Sequence, residues 1–189
     1  MNLPNFPGWH LIGAFESDVG SWLLHHGGEA MLLEVPEGLT VETVEAALDR
    51  LGIRMPKYVA VSHEHEDHLD ANLWADLLLA FPKAKFFRAK DIPDRLPLYL
   101  GGEPLWLLKA PKHSWTDVVT VFRGVAMTGD IELGTLDSVN DEVSLRVKRR
   151  SMNLLEDFVD HHGYHIHSLV SAHLDDVRTG IDWPALFTC

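Results

Sequence analysis

The chain has 189 residues and 21.3 kDa, enough for one substantial core and too little for two full domains, so a single domain over residues 1–189 is expected. Hydrophobic residues make up 46% and charged residues 23%, which excludes wholesale disorder. Sixteen Lys and Arg against 28 Asp and Glu leave a net charge of −12, which disfavours nucleic acid and anionic membranes as partners. A single cysteine, Cys189, excludes an internal disulfide and a cysteine-rich zinc module. Residues 1–15 lack a basic region followed by a long apolar run, and Leu77-Leu78-Leu79 falls far short of the roughly 20 apolar residues that span a bilayer. A cytoplasmic protein is expected. Twelve histidines make metal chemistry worth pursuing, because imidazole is a common neutral ligand for zinc and iron.

In chain order, the apolar runs Val19 to His25 and Glu29 to Val35 flank His26-Gly27-Gly28 and predict a hairpin closed by Pro36. Thr40 is placed to cap a helix that buries Val41, Val44, Ala47, Leu48 and Leu51 and stops at Gly52. Tyr58-Val59-Ala60-Val61, within Lys57 to Ser62, is the pattern of a buried strand running into His63-Glu64-His65-Glu66-Asp67-His68. Leu73, Leu77, Leu78 and Phe81 predict a second helix ended by Pro82, then a short strand over Lys85 to Arg88. Asp91 to Pro104, with three prolines and Gly101-Gly102, predicts a loop. Strands are expected at Leu105 to Lys109, Asp117 to Phe122 and Val125 to Thr128, the last two joined at Arg123-Gly124. Ser151 is the expected cap of a helix carrying Leu154, Leu155, Phe158 and Val159, ended by Gly163, and Ile166 to Ala172 is a final strand leading to His173. Strands precede helices in both halves, the order of a layered α/β fold with helices outside packed sheets.

Three histidines and an aspartate within six residues carry the chemistry. His63 and His65, two apart after a strand, can reach one metal ion while Asp67 and His68 turn toward a second. With histidine at 12 and aspartate at 16 of 189 positions, His-x-His-x-Asp-His arises by coincidence somewhere in such a chain with a probability of about 0.4%. The basic run Lys148-Arg149-Arg150 has the pattern of a solvated strand end or helix approach. Trp22, Trp74, Trp106 and Trp115 are expected in the core, and His25, His26, His161, His162, His165 and His167 facing solvent.

Through the His63 to His68 motif, placed at the end of a buried strand, the sequence resembles the metallo-β-lactamase fold hydrolases, specifically the glyoxalase II-like and phosphodiesterase-like branch with a bridging aspartate. The rest of that family's ligand set is matched by His113 in Pro111-Lys112-His113-Ser114, Asp130 in Thr128-Gly129-Asp130 and His173 in Ser171-Ala172-His173. The resemblance covers about Val19 to His173 and implies a four-layer αββα sandwich. It further implies two divalent metal ions, zinc foremost with iron and manganese open, one held by His63, His65 and His113, the other by Asp67, His68 and His173, with Asp130 bridging. A hydroxide shared by the two ions would be the nucleophile, Asp130 and Asp67 the catalytic carboxylates, and Asp67 also a proton donor to the leaving group. The charge of two divalent ions exceeds that of two carboxylates and a hydroxide, so a small anionic or polar substrate is expected, such as an ester, thioester, lactone or phosphodiester. The alternative is an oxidoreductase resembling persulfide dioxygenases, with one iron.

Some positions depart from the family pattern. Glu34 stands where relatives carry a supporting aspartate, and Leu69-Asp70-Ala71-Asn72 where they often carry two glycines. The chain ends 16 residues after His173, which disfavours the glutathione-binding helical domain of glyoxalase II. Asp18, Asp70 and Asp117 are candidates to orient a ligand histidine through its second ring nitrogen. Lys112, Lys85, Arg146 and Arg88 are unranked candidates to bind an anion.

Overall fold

A computed structural model describes residues 4–130 and 141–187; Cys189 lies outside the described residues. The chain runs β1 (Trp9–Ala14), β2 (Gly20–His26), β3 (Glu29–Leu33), α1 (Val41–Arg50), β4 (Tyr58–Ala60), α2 (Ala71–Ala80), β5 (Lys85–Phe87), β6 (Arg95–Leu100), β7 (Glu103–Lys109), β8 (Val118–Phe122), β9 (Val125–Met127), α3 (Glu142–His162), β10 (Ser168–Val170) and β11 (Val177–Thr179). Two mixed sheets result, one ordered β1-β2-β3-β4-β5 and the other β11-β10-β9-β8-β7-β6.

Alternation along the strands sends every second side chain to each face, which produces the layers. Trp22, Leu24, Met31 and Leu33 of the first sheet pack against Leu105, Leu107, Phe122 and Met127 of the second in a core between the sheets. On its other face the first sheet buries Leu23, Leu32 and Val59 under Val44, Ala47 and Leu48 of α1 and Leu73 and Leu77 of α2. The second sheet buries Leu108, Val119 and Val121 under Met152, Leu155 and Phe158 of α3. The order is helix, sheet, sheet, helix, an α/β fold of four layers.

The caps explain where the helices start. Thr40 Oγ1 accepts the Thr43 N–H at 3.2 Å, and Asp70 Oδ1 accepts those of Asn72 and Leu73 at 2.8 and 2.9 Å. The third helix begins nine residues before the expected Ser151, at Glu142, where Asp141 Oδ1 accepts the N–H groups of Val143 and Ser144, both at 2.9 Å. Ser151 lies inside the buried stripe, where its hydroxyl donates to Pro111 O at 2.7 Å and approaches Val147 O at 3.1 Å. A polar residue in the core stripe therefore imitates a start. The same extension places Lys148 in the helix, buried at 1% exposure, while Arg149 and Arg150 face solvent. Leu78 is 43% exposed, outside the face expected to bury it.

Asp91 to Pro104 is not a loop throughout. Arg95 to Leu100 forms an antiparallel pair with Glu103 to Lys109 around Gly101-Gly102. Strand β6 is an edge, so Pro97 removes an N–H that a central strand would need and this one does not. Gly101 also packs against the turn of the other sheet: a Cβ there would lie 2.6 Å from the Gly27 Cα. Strands β1 and β11 carry no alternation strong enough to have been expected. Among the described residues no helix is long and apolar enough to cross a membrane.

Candidate metal centre

Loops at one end of the strands carry all seven predicted ligands. His63, His65, Asp67 and His68 occupy the turn between β4 and α2, where the N–H groups of His68 and Leu69 both donate to His65 O at 3.1 and 3.0 Å. That turn is tied back to the first sheet, since Val35 N donates to His68 O at 3.1 Å and Asp70 N to Val35 O at 2.8 Å. His113 lies between β7 and β8, Asp130 follows β9, and His173 follows β10. The positive φ of Gly129, 77°, turns the chain into Asp130.

Two groups form. Ligand atoms of His63, His65, His113 and Asp130 all lie within 4.8 Å of one another, as do those of Asp67, His68 and His173. Asp130 faces both. Its Oδ2 is 3.4 Å from both His63 Nε2 and His113 Nε2, and its Oδ1 is 3.0 Å from His68 Nε2 and 3.3 Å from His173 Nε2. Asp67 Oδ2 stands 3.6 Å from His68 Nε2 and 3.7 Å from His173 Nε2. His63 and His68 are buried, whereas His65 and His113 open to solvent.

The donor set fits a metal. His68 Nε2 and Asp130 Oδ1 are buried and only 3.0 Å apart, yet among the described residues neither has a well-formed hydrogen bond. Imidazole and carboxylate donors converging in this way suit a divalent ion that would take up both atoms. Burial opposes charge on His68, but Asp130 and Glu34 outweigh it and hold its pKa up at about 10. Burial likewise opposes the charged form of Asp130, and the imidazoles of His63 and His68 keep it well below the usual carboxylate range. A metal ion entering near neutral pH must displace the His68 proton.

The supporting groups differ from those expected. Glu34, buried at 0% exposure, places Oε2 3.1 Å from His68 Nδ1 while its Oε1 accepts the Ser62 N–H at 2.8 Å. His173 Nδ1 lies 2.7 Å from Ser17 O, a backbone partner that no residue type advertises. Among the described residues Asp117 makes no hydrogen bond to an imidazole. Its Oδ2 accepts the N–H groups of Lys112, His113 and Ser114 at 2.8, 2.6 and 3.0 Å, and Oδ1 accepts the Ser114 hydroxyl at 2.6 Å, which fixes the His113 loop. Asp70 caps α2, and Asp18 sits beside Ser17 in the turn that meets His173.

Other expectations change as well. Trp115 is 62% exposed next to His113, at a cavity of about 100 Å³ lined also by Pro111, Ser144 and Val147, whereas Trp22, Trp74 and Trp106 pack in the cores. Lys112 is buried and does not face solvent, and Arg88 pairs with Glu64. His162 packs on Trp106 and Phe158 with ring centroids 4.7 and 4.9 Å away, while the His161 side chain lies outside those described.

No protein-family model matches the chain, and no curated protein matches it in sequence. Solved structures do match it. A metallo-β-lactamase of Cronobacter sakazakii with an HARLDQ motif is 17% identical over 88% of this chain and 75% of its own, at a TM-score of 0.64. The chain has the metallo-β-lactamase fold. A metallo-β-lactamase family protein of Thermus thermophilus aligns at TM-score 0.59, 18% identity, 96% of this chain and 77% of that one. A class B3 di-zinc metallo-β-lactamase from an Alaskan soil metagenome aligns at TM-score 0.60, 12% identity, 87% of this chain and 75% of that one. The αββα order expected from the resemblance is thus the observed architecture.

Proposed function

We propose that this chain is a metal-dependent hydrolase of a small ester, thioester, lactone or phosphodiester. His63, His65 and His113 would hold one divalent ion, Asp67, His68 and His173 a second, and Asp130 would be shared. The observation that carries the reading is the two-sided placement of Asp130, with one carboxylate oxygen toward each histidine group. Zinc is the proposed metal because imidazole and carboxylate donors suit it, and a di-zinc lactamase shares the fold. Two bound divalent ions supply Lewis acidity and lower the pKa of water enough for hydroxide to attack near neutral pH.

The chain's own residues orient and move protons. Glu34 would accept a hydrogen bond from the His68 Nδ1–H, so that the proton displaced by a metal is the one on Nε2, and Ser17 O would accept likewise from the His173 Nδ1–H. Asp67, with its side chain 33% exposed, would take up the proton released by the attacking water and return it to the leaving group. The open side at His65 and His113 admits a small anionic or polar substrate, while the −12 charge argues against nucleic acid and anionic membranes.

Zinc-loaded protein assayed against one substrate of each of the four classes is expected to hydrolyse at least one of them. Activity should vanish with a chelator and return with zinc. Two-metal protein that turns over none of the four classes would overturn the reading.

A further inference from the structure

Lys112 occupies an unusual position. Its side chain is 0% exposed, although an ammonium is costly to bury without close partners. Among the described residues its Nζ makes no hydrogen bond, and the nearest carboxylate oxygen there, Asp117 Oδ2 at 3.8 Å, is already occupied by three backbone N–H groups. What the side chain touches explains its place. A Cβ on Gly129 would lie 3.5 Å from Lys112 Nζ and 3.7 Å from Ser62 Oγ, so the tip of Lys112 rests beneath the turn that presents Asp130, beside the residue preceding His63. Lys112 itself immediately precedes His113. Three of the segments that carry the first ligand group therefore meet around one buried side chain.

Other contacts hold those segments from outside. Ala172 N donates to Gly129 O at 3.1 Å, Val118 N to Ser62 O at 2.6 Å, and Glu64 N to Thr116 Oγ1 at 3.0 Å. None of these spans the gap between the His113 loop and the Gly129-Asp130 turn, which Lys112 fills.

We propose that Lys112 is a positioning residue for the ligand group His63, His65, His113 and Asp130, its buried side chain setting the spacing between the His113 loop and the Asp130 turn. The inference rests on the proposal that these residues hold a metal ion. Positioning groups behind ligands typically change metal affinity by about 10–100-fold when removed. The effect should be larger on the ion held by His63, His65 and His113 than on the other, which depends on this group only through the shared Asp130.

The test compares wild type, Lys112→Met and Lys112→Gln by titration with cobalt(II), following its visible absorption and the affinity of each step against a competing chelator. Met keeps the length and removes the polar end; Gln keeps a donor on a shorter stem. The expected result is folded variants in which one cobalt step weakens at least about tenfold with an altered spectrum while the other weakens less, and in which Gln is closer to wild type than Met. Equal affinities and spectra in folded Lys112→Met would overturn the proposal. So would loss of fold in both variants, which would assign Lys112 to the core alone. Failure of wild type to bind any cobalt would instead sink the metal reading on which the inference rests.

Discussion

Replacing Asp130 with Asn should leave a folded protein that has lost at least about a hundredfold of its hydrolytic activity, beyond what the removal of groups behind a metal site usually costs. The side chain is mostly shielded, with 15% exposure, and keeps its shape in the substitution, so folding should survive. What is lost is the anion. Asn offers one oxygen and one NH₂ group where the carboxylate offers two oxygens, and the NH₂ would face either His63 and His113 or His68 and His173. One histidine group would then lose its shared ligand, so the two ions should bind independently. Metal stoichiometry and kcat, measured on the same preparation with a melting curve, check this. Unchanged turnover in a folded Asp130→Asn protein would remove Asp130 from the site.

The second large effect is expected at Glu34. Its Oε1 accepts the Ser62 N–H and its Oε2 faces His68 Nδ1, both in a fully buried setting. In Glu34→Gln the amide oxygen can keep the Ser62 contact, but an NH₂ group then faces Nδ1 and must donate to it. The imidazole proton moves to Nε2, the atom needed by the metal, and affinity for the ion held by Asp67, His68 and His173 should drop about 10–100-fold. The metal-free proteins should differ in pH dependence. Because the folded pKa of His68 is raised from 6.5 to about 10, its charged form stabilises the native state fully below pH 6.5, and that contribution is lost as pH rises through about 10. Chelated wild type should therefore lose melting temperature across pH 6.5 to about 10, and Glu34→Gln should lose less over the same window. A wild-type profile that rises there would contradict the assignment.

The motif from His63 to His68 is legible because the strand Tyr58–Ala60 is a short apolar run and the histidines follow it closely. The partners of that motif carry no local signal beyond the family resemblance, and the structure brings them together because each follows a strand at the same edge of the two sheets. Elsewhere the local pattern misleads for physical reasons. Ser151 has the chemistry of a cap but spends its hydroxyl on Pro111 O across the core, and Pro97 forbids a central strand but not an edge one. Trp115 has the composition of a core residue and is held in the open by the loop that Asp117 fixes. Glu34 was visible as a departure from the family pattern. Its role needed the third dimension, since it lies 34 residues from His68 in the chain. Ser17 acts through its carbonyl, which any residue type would supply.

The central claim is that seven side chains hold two divalent ions. Elemental analysis of untagged protein purified without added metal, counting zinc, manganese and iron per chain, tests it most directly. The account predicts close to two equivalents of zinc or manganese, retained through gel filtration and removed only by chelation. One equivalent of iron with oxygen consumption would shift the chemistry to the dioxygenase-like alternative. No metal as purified and no uptake on titration with zinc would contradict the account.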